Sequence, residues 1–193
     1  MPKDQGTQAA RTTSEAVTRP FRVAIIEDER ELREGLSTLI NFTSQFVCNE
    51  KCGSVEVGLA RINDKNTDLI LTDLGLPQMN GIEGIKIFRS RFPGLPILVL
   101  TVQDENDKIF EALCAGANGY LLKNTPPDKI IEALSQVIDG GAPMSPEVAR
   151  HVVHLFRKFA PPLMSDYSLT KQEAAILKLL VEAIITRPPH TIL

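Results

Sequence analysis

The chain has 193 residues, 43% of them hydrophobic, with three cysteines, no tryptophan and a formal net charge of −3. That length buries one core of roughly 120 residues and leaves a smaller appendage. The odd cysteine count excludes a disulfide framework, and the charge balance (15 basic and 20 acidic side chains in residues 1–140, 6 and 4 in 141–193) excludes a strongly basic nucleic-acid binder.

No apolar run approaches the ~18 residues of a membrane span, and the N-terminus lacks the apolar core of a secretory signal. A cytoplasmic protein with free thiols at Cys48, Cys52 and Cys114 is expected. Residues 1–20 are rich in Thr, Gln, Ala and Ser with few large apolar groups. They cannot offset the entropy of ordering, so a disordered leader is expected there.

From Arg22 onward, short apolar runs recur every 20 to 30 residues: Val23 to Ile26, Phe46 to Cys52, Leu69 to Asp73, Ile97 to Thr101 and Gly119 to Leu122. Between them Leu32, Leu36, Leu39 and Ile40 recur at helical spacing, as do Ile109, Leu113 and Ala117. Strands that are continuously apolar rather than alternating belong to a parallel sheet covered on both faces. The spacing therefore predicts a doubly wound (βα)5 domain over residues 21–140. Asn80-Gly81, Pro93-Gly94 and the segment Ala115 to Gly119 supply the turns, where glycine and asparagine tolerate positive φ.

The strand ends carry the chemistry. Glu27 and Asp28 close the first strand and Asp73 the third. Ligands in open α/β sheets bind at the carboxyl ends of the strands, so these three carboxylates are expected to converge there. Three such charges repel one another unless a divalent cation holds them. Thr101 closes the fourth strand and Lys123 follows the fifth, adding a hydroxyl and a positive charge suited to a phosphoryl group.

Beyond Gly140-Gly141 lies a linker, residues 141–166, with a helix over 146–159 in which Ser145 is the expected cap and Pro146 the first residue. Its stripe of Val148, Val152, Leu155, Phe156 and Phe159 predicts packing against a partner. Residues 167–193 begin with a capping box, Thr170 and Glu173, followed by one helix that stops near Thr186 before Arg187-Pro188-Pro189. His151 and His154 lack cysteine or acidic neighbours at ligand spacing and are read as a solvated face.

These residues resemble the receiver domain of bacterial two-component response regulators, and the downstream pattern is similar to the NarL/LuxR (FixJ) subfamily. The resemblance rests on Glu27-Asp28, on Asp73 in Asp-Leu-Gly-Leu-Pro-x-Met-Asn-Gly, on Thr101, and on Gly-Tyr-Leu-Leu-Lys ending at Lys123. It implies a flavodoxin-like receiver with strand order 2-1-3-4-5, followed by the linker helix and a partial all-α segment. It also implies that Asp73 accepts a phosphoryl group from a phosphohistidine on a partner histidine kinase. Asp28 and Asp73 would ligate Mg2+, with Glu27 assisting and the Gly75 backbone carbonyl as a further ligand. Lys123 and Thr101 would meet the phosphoryl oxygens and Tyr120 would rotate inward behind Thr101. The switching face would be the fourth helix, fifth strand and fifth helix. The chain is thus expected to be a phosphoryl acceptor and not an enzyme. Gly75 and Gln103 hold the family's positions that influence water access, and the absence of a side chain at Gly75 predicts slow self-dephosphorylation.

Leu169-Thr170-x-x-Glu173-x-x-Ile176-Leu177-x-Leu179-Leu180 is similar to the opening helix of a LuxR-type helix-turn-helix. DNA is that family's partner, yet a reading helix needs roughly 20 residues more than follow, so a truncation is expected and no DNA-contacting residue is assigned. The first helix without its companions predicts homodimers or other self-association. The alternative to a transcription regulator is a receiver acting as a phosphate sink or protein-interaction module. A dehalogenase-like phosphatase would need an aspartate where Gly75 stands, and Glu27-Asp28-Glu29 would repel a flavin phosphate.

Overall fold

The computed structural model describes residues 19–159. The expected leader before Arg19 and the expected helix-turn-helix remnant at 167–193 lie outside the described residues. Five strands, β1 (Phe21–Ile26), β2 (Phe46–Cys52), β3 (Leu69–Thr72), β4 (Ile97–Thr101) and β5 (Gly119–Leu122), form one sheet in the order β2-β1-β3-β4-β5. Every neighbouring pair is parallel. Helices α1 (Arg30–Asn41), α2 (Val55–Arg61), α3 (Gly81–Arg91), α4 (Asn106–Ala115), α5 (Pro127–Ile138) and α6 (Pro146–Phe159) complete the doubly wound architecture that the apolar runs predict.

The strands are apolar throughout because each feeds two cores. Ala24, Ile26, Ile70, Ile97, Val99, Tyr120 and Leu122 pack with α2, α3 and α4, while Val23, Ile25, Leu69, Leu71, Leu98, Leu100 and Leu121 pack with α1 and α5. That is the strand period of two read on a sheet with no wet face. Among the described residues, no helix is long and apolar enough to cross a membrane.

Local chemistry sets the element ends. Ser54 caps α2 by accepting the Val57 N–H (3.4 Å), and Asn80 caps α3 by accepting the Glu83 N–H (3.0 Å). The loop after Asp73 differs from expectation: Asn80 is an ordinary cap at φ −68°, and the left-handed residue is Gln78 at φ 64°. Helix α4 stops at Ala115 because Gly116 turns left-handed at φ 110°, so Ala117 lies past the helix whose stripe it was expected to continue.

Residues 141–155 pack on the domain, and the compact unit that holds the sheet runs on to Leu155. Val148 is fully buried and Val152 packs beside it on the α2/α3/α4 core, while Leu155 is 8% exposed. Burying such a side chain contributes about 2 kcal/mol. The first part of the stripe expected to seek a partner is therefore satisfied within the chain.

Candidate functional site

Parallel strands bring their carboxyl ends to one edge, and the backbone there is tightly tied. The Glu27 N–H donates to the Cys52 carbonyl (3.0 Å) and the Asp73 N–H to the Ile26 carbonyl (2.9 Å), fixing both acids at the ends of β1 and β3. Arg33, one turn into α1, donates from Nη1 to the carbonyls of Glu27 (2.5 Å) and Asp28 (3.1 Å) and clips the loop that carries them. Sequence reading passed over Arg33, since nothing in its type separates it from any other helix-surface arginine.

Glu27, Asp28 and Asp73 each offer a carboxylate oxygen, and these atoms lie within 4.8 Å of one another. Glu27 and Asp73 are buried and Asp28 is exposed, so the cluster opens to solvent on the Asp28 side. Lys123 Nζ sits 2.8 Å from Glu27 Oε2 and 3.0 Å from Asp73 Oδ2. The other Asp73 oxygen, Oδ1, accepts the Leu74 N–H at 2.6 Å. Thr101 is fully buried beside them. Its hydroxyl accepts the Gln103 N–H (3.4 Å), and the Tyr120 hydroxyl donates to the Gln103 carbonyl (2.8 Å).

Burial pushes the Glu27 carboxyl above its ordinary pKa, against the pull of Lys123. Burial acts the same way on Asp73, but there the Thr101 hydroxyl, the Lys123 ammonium and backbone N–H donation outweigh it and hold the group below its ordinary value. Burial acts to lower Lys123, and its bonds to the two acids more than offset this. The surroundings thus favour the charged forms of Asp73 and Lys123 and disfavour that of Glu27.

Tyr120 was expected to rotate inward on activation. Here it is already fully buried, and burial, with the charges of Glu105, Asp73 and Asp104 nearby, pushes its phenol pKa up. Gly75 lies against the site: a Cβ there would stand 3.6 Å from Asp73 Oδ2 and 3.5 Å from Gln103 Nε2. Gly81 matters for close approach and not for its φ, since a Cβ there would fall 2.2 Å from the Asp73 carbonyl oxygen. Glu27, Asp28, Asp73, Gly75, Thr101 and Lys123 lie at or just beyond the carboxyl ends of the strands, while Tyr120 sits two residues before the end of β5 and reaches toward them through its hydroxyl bond to Gln103.

Two buried carboxylates, one exposed carboxylate and one ammonium leave an excess of negative charge at a mouth made of oxygen donors. Such a donor set fits a hard divalent cation. Among the described residues, no other cluster of three or more such ligands forms.

The sequence profile of the response regulator receiver domain matches residues 23–135. The chain is 30% identical over 166 residues to the nitrate/nitrite response regulator NarL of Escherichia coli, covering 86% of this chain and 77% of that protein. It is 27% identical over 182 residues to the transcriptional regulatory protein DegU of Brevibacillus brevis, covering 86% and 77%. Among solved structures, the response regulator ChrA of a heme-sensing two-component system is 28% identical with a TM-score of 0.59, covering 86% of this chain and 77% of that one. A LuxR-family regulator from Aurantimonas shares the fold at a TM-score of 0.67 and 24% identity, covering 70% and 97%.

Proposed function

The chain belongs to the response regulator receiver family, and from that premise we propose that it is the phosphoryl acceptor of a two-component relay, with Asp73 as the accepting residue. An Asp73 oxygen attacks the phosphorus of a phosphohistidine on a partner histidine kinase. The P–N bond breaks, its electron pair passes to the imidazole nitrogen, which regains a proton from solvent, and the new P–O bond leaves an acyl phosphate on Asp73. The chain takes a group from its partner and is not itself the enzyme of the pair.

Asp28, Asp73, Glu27 and the Gly75 carbonyl would hold Mg2+, which when bound supplies charge neutralisation for the transferring group. The rest belongs to the chain's own side chains. Lys123, already midway between Glu27 and Asp73, releases Glu27 and pairs with the phosphoryl oxygens. Thr101, whose hydroxyl accepts the Gln103 N–H and already bears on the Asp73 carboxylate, donates to the same oxygens. Such charge shifts bias a two-state element, here the β4–α4 loop and β5 through Gln103 and Tyr120. The relatives are named transcriptional regulators, and transcription control is the proposed output.

The observation that carries this reading is the shared contact of Lys123 with Glu27 and Asp73 at the mouth of an acidic cluster. Borohydride reduction of chain treated with acetyl phosphate and Mg2+ tests it, since an aspartyl phosphate is reduced to homoserine. Peptide mass mapping is expected to find homoserine at residue 73. Homoserine at another aspartate, the longer amino alcohol at a glutamate such as Glu27, or no reduced residue at all refutes it.

A further inference from the structure

Edge strands usually leave a row of backbone donors and acceptors open to solvent. β5 is the edge strand next to Lys123, yet its outer side is closed by the chain itself. The Tyr120 N–H donates to the Pro143 carbonyl (2.9 Å), the Ser145 N–H donates to the Tyr120 carbonyl (3.1 Å), and Tyr120 pairs with Met144 in parallel register. One step further along, the Leu122 N–H donates to Ser145 Oγ (3.1 Å). Ser145 is 5% exposed, and its carbonyl accepts the Ala149 N–H (3.0 Å) that opens α6. The serine thus stands at the cap position of α6, as the Ser-Pro-Glu run implies, but spends its hydroxyl on β5.

Lys123 follows Leu122 directly. Its own N–H donates to the Thr101 carbonyl (2.8 Å), so the two residues at the end of β5 are held from opposite sides, by β4 and by Ser145. The approach is close enough to constrain the sequence at the other end of the strap: a Cβ on Gly119 would lie 2.7 Å from the Pro143 carbonyl oxygen.

We propose that Ser145 is a positioning residue for the phosphoacceptor site, holding the end of β5 so that Lys123 reaches Asp73, and that the strap Pro143–Ser145 joins the state of that site to α6. The proposal rests on the reading of Asp73 as phosphoacceptor only for its kinetic consequence. The mechanical link is independent of it. Removing the hydroxyl leaves a buried N–H without its acceptor and frees the segment from which Lys123 projects. The three carboxylates ride on β1 and β3 and do not depend on it.

The test uses the full chain as wild type, Ser145→Ala, Ser145→Thr and Gly119→Ala. In Ser145→Ala, backbone amide exchange at Leu122 and Lys123 is expected to quicken about tenfold, the factor equal to ~1.4 kcal/mol, with β1 and β3 unchanged. Labelling by acetyl phosphate at saturating Mg2+ is expected to slow by about the same factor, while affinity for Mg2+ alone does not fall. Ser145→Thr keeps the hydroxyl and restores both rates. Gly119→Ala, whose Cβ would fall 2.7 Å from the Pro143 carbonyl oxygen and 2.8 Å from Leu98 Cδ1, presses on the strap at its other end and is expected to reproduce the loss with Ser145 intact. Unchanged exchange at Leu122 and Lys123 in Ser145→Ala overturns the proposal whatever the label does. So does a loss of Mg2+ affinity in step with labelling, which would mean that the whole edge of the sheet has loosened. A wild type that takes no label while the exchange pattern holds sinks the phosphoacceptor reading and leaves the link between Ser145 and Lys123 standing.

Discussion

Gly81→Ala separates two effects that pull in opposite directions. Position 81 opens α3 with an ordinary backbone, and replacing glycine by alanine in a helix is normally favourable by up to about 1 kcal/mol. Against this, the new Cβ would fall 2.2 Å from the Asp73 carbonyl oxygen and 2.6 Å from the Leu74 Cα. Both are backbone atoms, so no side chain can swing away. Reaching an ordinary C···O separation of ~3.3 Å requires a movement of about 1 Å, and the Gly81 N–H bond to the Leu74 carbonyl (3.0 Å) ties the same two segments together. Overpacking of this kind costs about 1–3 kcal/mol and outweighs the helix gain. A 1 Å displacement of the Asp73 carboxylate, the proposed acceptor, is expected to slow labelling by acetyl phosphate about a hundredfold. Gly35→Ala, in α1 and away from the acidic cluster, is the control, because its Cβ would meet nothing within 4 Å. Urea unfolding and timed intact-mass labelling of the two variants check the reasoning. A Gly81→Ala protein with wild-type stability and labelling rate would refute it.

Three further outcomes follow from the geometry. Lys123→Gln leaves Glu27 and Asp73 buried without their shared cation, so urea unfolding in chelator should show a loss of about 3 kcal/mol, part of it restored by Mg2+. At the opposite end of the sheet, Asp68 accepts from Arg22 and Arg19, which hold its pKa far below the carboxylate range. A group with a depressed folded pKa stabilises above its unfolded pKa and loses that contribution as pH falls through the folded one. Asp68→Asn should therefore cost about 1–2 kcal/mol at pH 7, with the gap to wild type narrowing below about pH 4 in pH-dependent unfolding. Finally, burial pushes the Cys52 thiol up to about 11, while Cys114 is exposed. A thiol reagent at pH 8 should modify Cys114 in the folded chain and Cys52 only after unfolding, as read by peptide mass.

The strands were legible because a doubly covered sheet demands continuous apolar runs, and Val23 to Ile26 or Ile97 to Leu100 have no other use, whereas their order in the sheet came with the resemblance to receiver domains. The convergence of Glu27, Asp28, Asp73, Thr101 and Lys123 was legible for the same reason: parallel strands deliver their last residues to one edge. What escaped was everything decided by backbone partners. Ser145 reads as a helix cap, and nothing local shows that its hydroxyl is claimed by Leu122, 23 residues earlier. Gly81 reads as a turn glycine, while its need comes from the Asp73 carbonyl behind it. The apolar stripe of α6 reads as a surface awaiting a partner, while the folded chain buries Val148 in the core shared by α2, α3 and α4.

The central claim is that a cation gathered by Glu27, Asp28 and Asp73 lets Asp73 become an acyl phosphate. Intact mass of the full chain after acetyl phosphate, with Mg2+ and with chelator, tests this most directly. The account predicts a gain of one phosphoryl group in Mg2+, none in chelator and none in Asp73→Asn under either condition. Equal labelling with and without the metal, or a full gain in Asp73→Asn, would contradict it.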